Sequence, residues 1–125
     1  MALPERYSLT IEQGATLKIW WALKYPDGTI ADLGTAGYTT GRLTVRPDYG
    51  EDAVLSLTTD NGGVVISYET DADGRQWSGY LYASATATAA LTEWGEGIYD
   101  LEISNGTDVI RVMQGPATLS PEATI

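Results

Sequence analysis

Apolar and polar residues alternate with a period of two over most of this chain. Leu17, Ile19, Trp21 and Leu23 share one side of a run whose other side carries Lys18, Trp20, Ala22 and Lys24. Successive side chains of an extended strand point to opposite faces, so this run predicts a strand buried on its leucine side. Just before it, Tyr7, Leu9 and Ile11 alternate with Ser8, Thr10 and Glu12, and Gly14 separates the two runs. Leu43 and Val45 alternate with Arg42, Thr44 and Arg46, which leaves the polar three facing water. Further on, Trp77 and Leu81 stand against Ser78, Tyr80 and Tyr82. Sixteen threonines add β-branched surface suited to a pleated sheet.

Turn chemistry punctuates these runs. In Pro26-Asp27-Gly28 the proline presets φ and the glycine accepts a positive φ. Asn61-Gly62 and Asn105-Gly106 are the favoured two-residue hairpin loops, whose central residues both need positive φ. Counting outwards from the first puts Leu57 opposite Ile66, Leu55 opposite Tyr68, and Ser56 opposite Ser67 on the other face. Counting from the second pairs Leu101 with Ile110 and Tyr99 with Val112, with Asp100 facing Arg111 on the polar side. Each register gives one apolar and one polar face, as a half-buried antiparallel pair requires.

The alternation breaks at Ala83-Ser84-Ala85-Thr86-Ala87-Thr88-Ala89-Ala90-Leu91, where Ser84 is placed to cap one or two helical turns ending before Trp94 and Gly95. Its threonines keep that helix short, and it reads as a crossover between sheets. Seven to eight short strands with turns every 8–12 residues predict an all-β, antiparallel, immunoglobulin-like β-sandwich with one short helical crossover. A closed barrel is the structural alternative. Residues 1–125 form a single domain without internal repeats. The segment 116–125, with two prolines and one charge, is expected to be an extended C-terminal arm.

Charge and composition narrow the function classes. Seventeen acidic residues against seven basic ones give a net charge of −10 and a pI near 4.1, a balance that repels phosphate backbones and predicts no nucleic-acid partner. Cysteine and histidine are absent, which removes disulfides, Cys/His zinc sites, thiol nucleophiles and Ser-His-Asp triads. The start, Met1-Ala2-Leu3-Pro4-Glu5-Arg6, does not read as a secretory signal. The longest uncharged stretch, Gln76–Thr92, is too polar to be a membrane span, so a soluble protein is expected.

Among chemistry-bearing segments, Glu69, Asp71 and Asp73 ahead of Gly74 match the first half of an EF-hand calcium loop. The bidentate Glu of loop position twelve is replaced by Tyr80, and the flanks alternate like strands, so a hairpin loop turning at Gly74 is the preferred reading. The acids of Asp48–Asp52 and Glu93–Glu96 read as charged turns. No convergent base, nucleophile and oxyanion donor can be assembled, so no enzyme and no cofactor are expected. The aromatic bias is more telling, with four Trp and eight Tyr but no Phe. Trp20, Tyr80 and Tyr82 fall opposite the core face. Either both sheet faces are partly covered or these rings lie over lysine stems, or they form a protein–protein contact or a sugar-stacking platform.

The order of these segments resembles a known group. It runs through Ile11-Glu12-Gln13-Gly14-Ala15-Thr16, Tyr25-Pro26-Asp27-Gly28, Asp32-Leu33, Gly37-Tyr38, Thr44-Val45-Arg46, and Leu55–Thr59 leading into Asn61-Gly62-Gly63. Ala89-Ala90-Leu91, Tyr99–Ile103, Gly115–Thr118 and Leu119-Ser120-Pro121-Glu122 complete it. Small tailed-bacteriophage virion proteins with an immunoglobulin-like sandwich are similar in plan, among them the N-terminal domain of phage baseplate upper proteins. The resemblance implies a non-enzymatic structural protein of the virion, made in the host cytoplasm. It would be an adaptor linking fibres or receptor-binding parts to the tail or baseplate, present in many copies and contacting other virion proteins, with no membrane. Contacts are expected through Trp20, Tyr80 and Tyr82 and, on the arm, Leu119 and Ile125. A capsid decoration protein is the alternative within that class, and a carbohydrate-binding module the alternative outside it.

Overall fold

The alternating runs form strands in a computed structural model that describes residues 5–91 and 95–122. In chain order these are β1 (Glu5–Arg6), β2 (Leu9–Glu12), β3 (Leu17–Trp21), β4 (Thr40–Arg46), β5 (Leu55–Thr58), β6 (Val64–Thr70) and β7 (Gln76–Ala83). A short helix, α1 (Ala85–Ala89), precedes β8 (Glu96–Ser104) and β9 (Val109–Ser120). The larger sheet has the order β1-β9-β8-β4-β5, with β2 also on β9, and the smaller has the order β3-β7-β6. The fold is therefore all-β, with two mostly antiparallel sheets and one short helix, consistent with a β-sandwich. No helix among the described residues is long and apolar enough to cross a membrane.

Inward positions of both sheets meet in one core. Leu9, Ile11, Leu43, Val45, Leu101 and Ile103 come from the larger sheet, and Leu17, Trp21, Val64 and Leu81 from the smaller. The expected core side of β3 is the buried one, and Lys18 and Lys24 are exposed. Pro26-Asp27-Gly28 forms the expected turn: Gly28 N–H donates to the Tyr25 carbonyl at 2.9 Å, with φ +89° at the glycine. Ser84 caps α1 by accepting from Ala87 N–H at 3.1 Å, and the helix carries the chain from the smaller sheet to the larger.

Asn61-Gly62 does not close a hairpin. β5 pairs with β4, placing Leu57 opposite Leu43, while β6 pairs with β7 in the other sheet. The expected Leu57–Ile66, Leu55–Tyr68 and Ser56–Ser67 pairs are replaced. Alternation fixes which side chains point inward, and it is equally satisfied by neighbours within a sheet or by strands opposed across the core. Here the pair forms a corner between sheets. Asn61 Oδ1 accepts from Thr58 N–H and Gly63 N–H at 2.9 Å each, and Nδ2 donates to the Ser56 carbonyl at 3.1 Å. The corner is tight, since a Cβ on Gly63 would stand 2.6 Å from Leu57 Cβ.

Asn105-Gly106 does sit in a hairpin, but in a longer loop. Asn105 Oδ1 accepts from Thr107 N–H at 2.9 Å and Asp108 N–H at 2.7 Å, so pairing resumes at Ser104–Val109 and Glu102–Arg111. Beyond a bulge at Leu101/Glu102, Leu101 pairs with Met113, Asp100 with Gln114 and Tyr99 with Gly115, replacing the three expected pairs. Between the turn and the bulge the offset is two residues, which keeps those side chains on their expected faces; beyond the bulge it is three, and Met113 joins Val112 on the inward side. Leu101, Ile110 and Val112 are accordingly buried, and Arg111 lies across from Glu102.

The expected arm is not free over its first half. Pro116–Ser120 is the end of β9, held between β8 and β2, and Ala117 and Leu119 are buried. What alternation does not reveal is the parallel pairing of β1 and β2 with β9, Glu5 opposite Met113 and Leu9 opposite Ala117. That pairing closes the segment into the core.

Candidate interaction faces

The outer face of the smaller sheet is built from β3 and β7. Their antiparallel register sets Trp20 opposite Tyr80 and Lys18 opposite Tyr82. The Trp20 and Tyr80 rings meet edge to face, with centroids 5.3 Å apart and planes at 68°. Lys18 Nζ lies 4.6 Å from the Tyr80 centroid and 4.9 Å from that of Trp20, within cation–π range. Trp20 and Tyr80 are half-buried, and Tyr82 is exposed.

Trp77 joins this face, although alternation puts it on the core side with Leu81. Adjacent Ser78 and Gly79 are both buried, so the alternation of β7 changes phase there, beside the extra residue that β6 carries between Ile66 and Glu69. Ser78 turns into the core, donating to the Ala31 carbonyl at 2.8 Å and accepting from Leu23 N–H at 3.1 Å. Trp77 stacks on Trp20 with centroids 6.3 Å apart and planes at 27°. Arg75 covers the other end of the row, 5.9 Å from the Trp77 ring. The face is thus a row of Tyr80, Trp20 and Trp77 with a cation at each end. An interrupted period next to Gly79 was the only sequence signal for Trp77.

Of the calcium candidates, Asp71 is committed to the β6–β7 turn. Its Oδ1 accepts from Asp73 N–H at 2.8 Å and Arg75 N–H at 3.0 Å, and its Oδ2 accepts from Trp77 Nε1–H at 2.8 Å. These bonds, the Trp77 indole first, hold its carboxyl below the usual aspartate range. Gly74 turns the loop with φ +84°. Among the described residues no three acidic side chains converge on a common point, so Glu69, Asp71 and Asp73 do not form a ligand cluster. Leu119, expected on a partner surface, is 4% exposed in the core. Ile125, Glu93 and Trp94 lie outside the described residues.

The larger sheet carries a second feature on its outer face, a groove of about 680 Å³ lined by Arg6, Arg42, Arg46 and Arg111 together with Asp100 and Glu102. Arg111 approaches Asp100 at 3.9 Å and Glu102 at 3.7 Å, and Arg42 approaches Glu102 at 3.6 Å. Burial, then the neighbouring Glu102, pushes the Asp100 carboxyl above its usual range against the pull of Arg111 and Arg42. The alternating Arg42-Thr44-Arg46 pattern gave the face of two of these arginines; their meeting with Arg6 depends on the parallel N-terminal pairing. No protein-family model matches the chain, and no curated protein matches its sequence.

Proposed function

We propose that this chain is a non-enzymatic structural protein of a bacteriophage particle, an adaptor in the tail or baseplate that works by packing against other virion proteins. The observation that carries the packing role is the outward row of Tyr80, Trp20 and Trp77 braced by Lys18 and Arg75. Rings with an apolar body and a polar tip suit a surface that is wet alone and dry in an assembly. The phage setting rests on the sequence resemblance.

The strand order supports the finer fold that goes with it, an immunoglobulin-like sandwich. β4, β8 and β9 with the added β5 occupy one sheet and β3, β6 and β7 the other, the division of a variable-type immunoglobulin domain. The ring geometry favours an adaptor over a carbohydrate-binding module. A sugar platform needs coplanar, open rings, whereas Trp20 and Tyr80 stand at 68° with the Lys18 ammonium over both.

Cryo-electron microscopy of purified particles from the phage that encodes this chain tests the reading. Density for the domain at the baseplate or tail, with the Trp20 face covered by a neighbour, is the expected result. Density on the capsid would make it a decoration protein. Absence from the particle, together with quenching of tryptophan fluorescence by saccharides, would replace the adaptor by the sugar-binding alternative.

A further inference from the structure

We propose that the arginine-lined groove on the outer face of the larger sheet docks an extended, carboxylate-rich segment of a partner protein. Four of the five arginines of a chain with net charge −10 gather there. Arg42 and Arg111 are compensated by Asp100 and Glu102. Arg6 and Arg46 form no ion pair among the described residues. Arg46 donates to the Glu51 carbonyl at 2.7 Å, which orients its guanidinium, and it pulls on Asp100 only weakly, after Arg111 and Arg42 and from beyond ion-pair distance.

The sheet register says how these two charges are spaced. Arg6 on β1 pairs with Gln114 of β9, and Arg46 on β4 pairs with Ile98 of β8, which pairs with Pro116 of β9. Three strand spacings separate β1 from β4, roughly 14 Å. Arg6 and Arg46 therefore flank the groove, with Ile98 and Pro116 between them. An extended chain throws successive side chains to opposite sides, so a run of acidic residues lying along the groove presents a carboxylate to each guanidinium. Arginine forks match carboxylates in two parallel hydrogen bonds.

Charge complementarity also selects among anions. Asp100 and Glu102 on the groove wall repel a phosphate dianion more than a carboxylate, and a long phosphate backbone would run from the groove onto acidic surface. Away from the groove only Lys18, Lys24 and Arg75 interrupt the acidic surface, Lys18 and Arg75 already over aromatic rings, so an acidic segment is repelled over most of the chain and lands where four arginines gather. Such repulsion is screened beyond about 8 Å at physiological salt, so the contact is made at short range. This inference does not rest on the phage reading.

The test is an amide NMR titration of the full chain with acetylated, amidated hexaglutamate at 50 and 500 mM NaCl. Saturable shifts at Arg6, Arg46 and Ile98 are expected, with affinity at least tenfold lower at high salt. Arg6→Gln/Arg46→Gln, two exposed positions whose replacement leaves the rest of the spectrum in place, should abolish them. The charge-reversed Arg6→Glu/Arg46→Glu should instead bind hexalysine. Absence of saturable shifts, equal binding of hexaglutamine, or unchanged binding by the Gln variant would overturn the proposal. So would tighter binding of tripolyphosphate or a short oligothymidylate than of the peptide. Self-association that the Gln variant abolishes would overturn a separate partner in favour of another copy of this chain.

Discussion

The carboxylate of Asp71 accepts the indole N–H of Trp77 at 2.8 Å, across the turn that joins β6 to β7. That bond orients the ring that stacks on Trp20, and it holds the Asp71 carboxyl below its usual range. A carboxyl whose folded pKa is depressed contributes stability above its unfolded pKa, about 4, and loses it as pH falls through the folded value. The Trp77 indole N–H resonance is therefore expected to stay fixed from neutral pH down to about pH 4 and to move only below it. Asp71→Ala should show the displaced resonance already at pH 7. A titration midpoint at or above the ordinary aspartate value would show that the bond does not set the ring.

Ser78 gives a second prediction. Its hydroxyl is fully buried and links β7 to two points of the β3–β4 connection, the Leu23 N–H and the Ala31 carbonyl. Ser78→Ala leaves both backbone groups buried without that partner, a loss expected to cost about 1–3 kcal/mol. Urea unfolding measures it. A cost near zero would mean that water or a shifted backbone replaces the hydroxyl.

The C-terminal segment gives the third. Because Pro116–Ser120 is held between β8 and β2, deleting 116–125 removes the last five residues of β9, the stretch on which β2 pairs, and two core side chains, Ala117 and Leu119. The truncated chain is expected to be unfolded by circular dichroism, and Leu119→Ala alone to cost about 2–5 kcal/mol. A folded truncation product would restore the segment as a detachable arm.

These residues also indicate what the sequence makes legible. Period-two patterning identified the inward faces of β2, β3, β4 and β8, because burial on one face constrains every second residue. It did not identify partners. Leu57 and Val64 point into the same core from different sheets, and nothing local to Asn61-Gly62 separates that corner from a hairpin. Proline and sparse charge at 116–125 suggested an arm, while the pairing that buries it comes from residues 9–12, over a hundred positions away. The aromatic face was legible at Trp20, Tyr80 and Tyr82. Trp77 was hidden by a shift in strand register, and the arginine groove by long-range pairing.

Gly79 marks that shift and gives a fourth prediction. A Cβ there would collide with the Val65 carbonyl oxygen and stand 2.6 Å from the Trp21 ring. Backbone and a buried indole cannot both yield cheaply, so Gly79→Ala should destabilise by about 1–3 kcal/mol through overpacking. It should also disturb the Trp20–Trp77 stack. Near-ultraviolet circular dichroism reads the second effect and urea unfolding the first. Wild-type values in both would show that β6 moves aside freely.

Asp100 gives the last prediction, in which stability and the groove are linked. Burial and Glu102 raise its pKa in the folded chain, so its contribution to stability is complete below the unfolded pKa and is lost as pH rises through the folded one. At neutral pH the charged form therefore opposes folding, and Arg111 at 3.9 Å offsets only part of this. The side chain is 39% exposed, and solvent screening keeps the balance below about 1 kcal/mol. Asp100→Asn is accordingly expected to equal or exceed wild-type stability at pH 7, by about a few tenths of a kcal/mol, and to lose that advantage near pH 4. Urea unfolding at the two pH values checks it. A loss of more than about 1 kcal/mol at pH 7 would mean that the Arg111 pair outweighs desolvation. The same substitution removes a negative charge from the groove wall, so hexaglutamate should bind the variant more tightly than wild type.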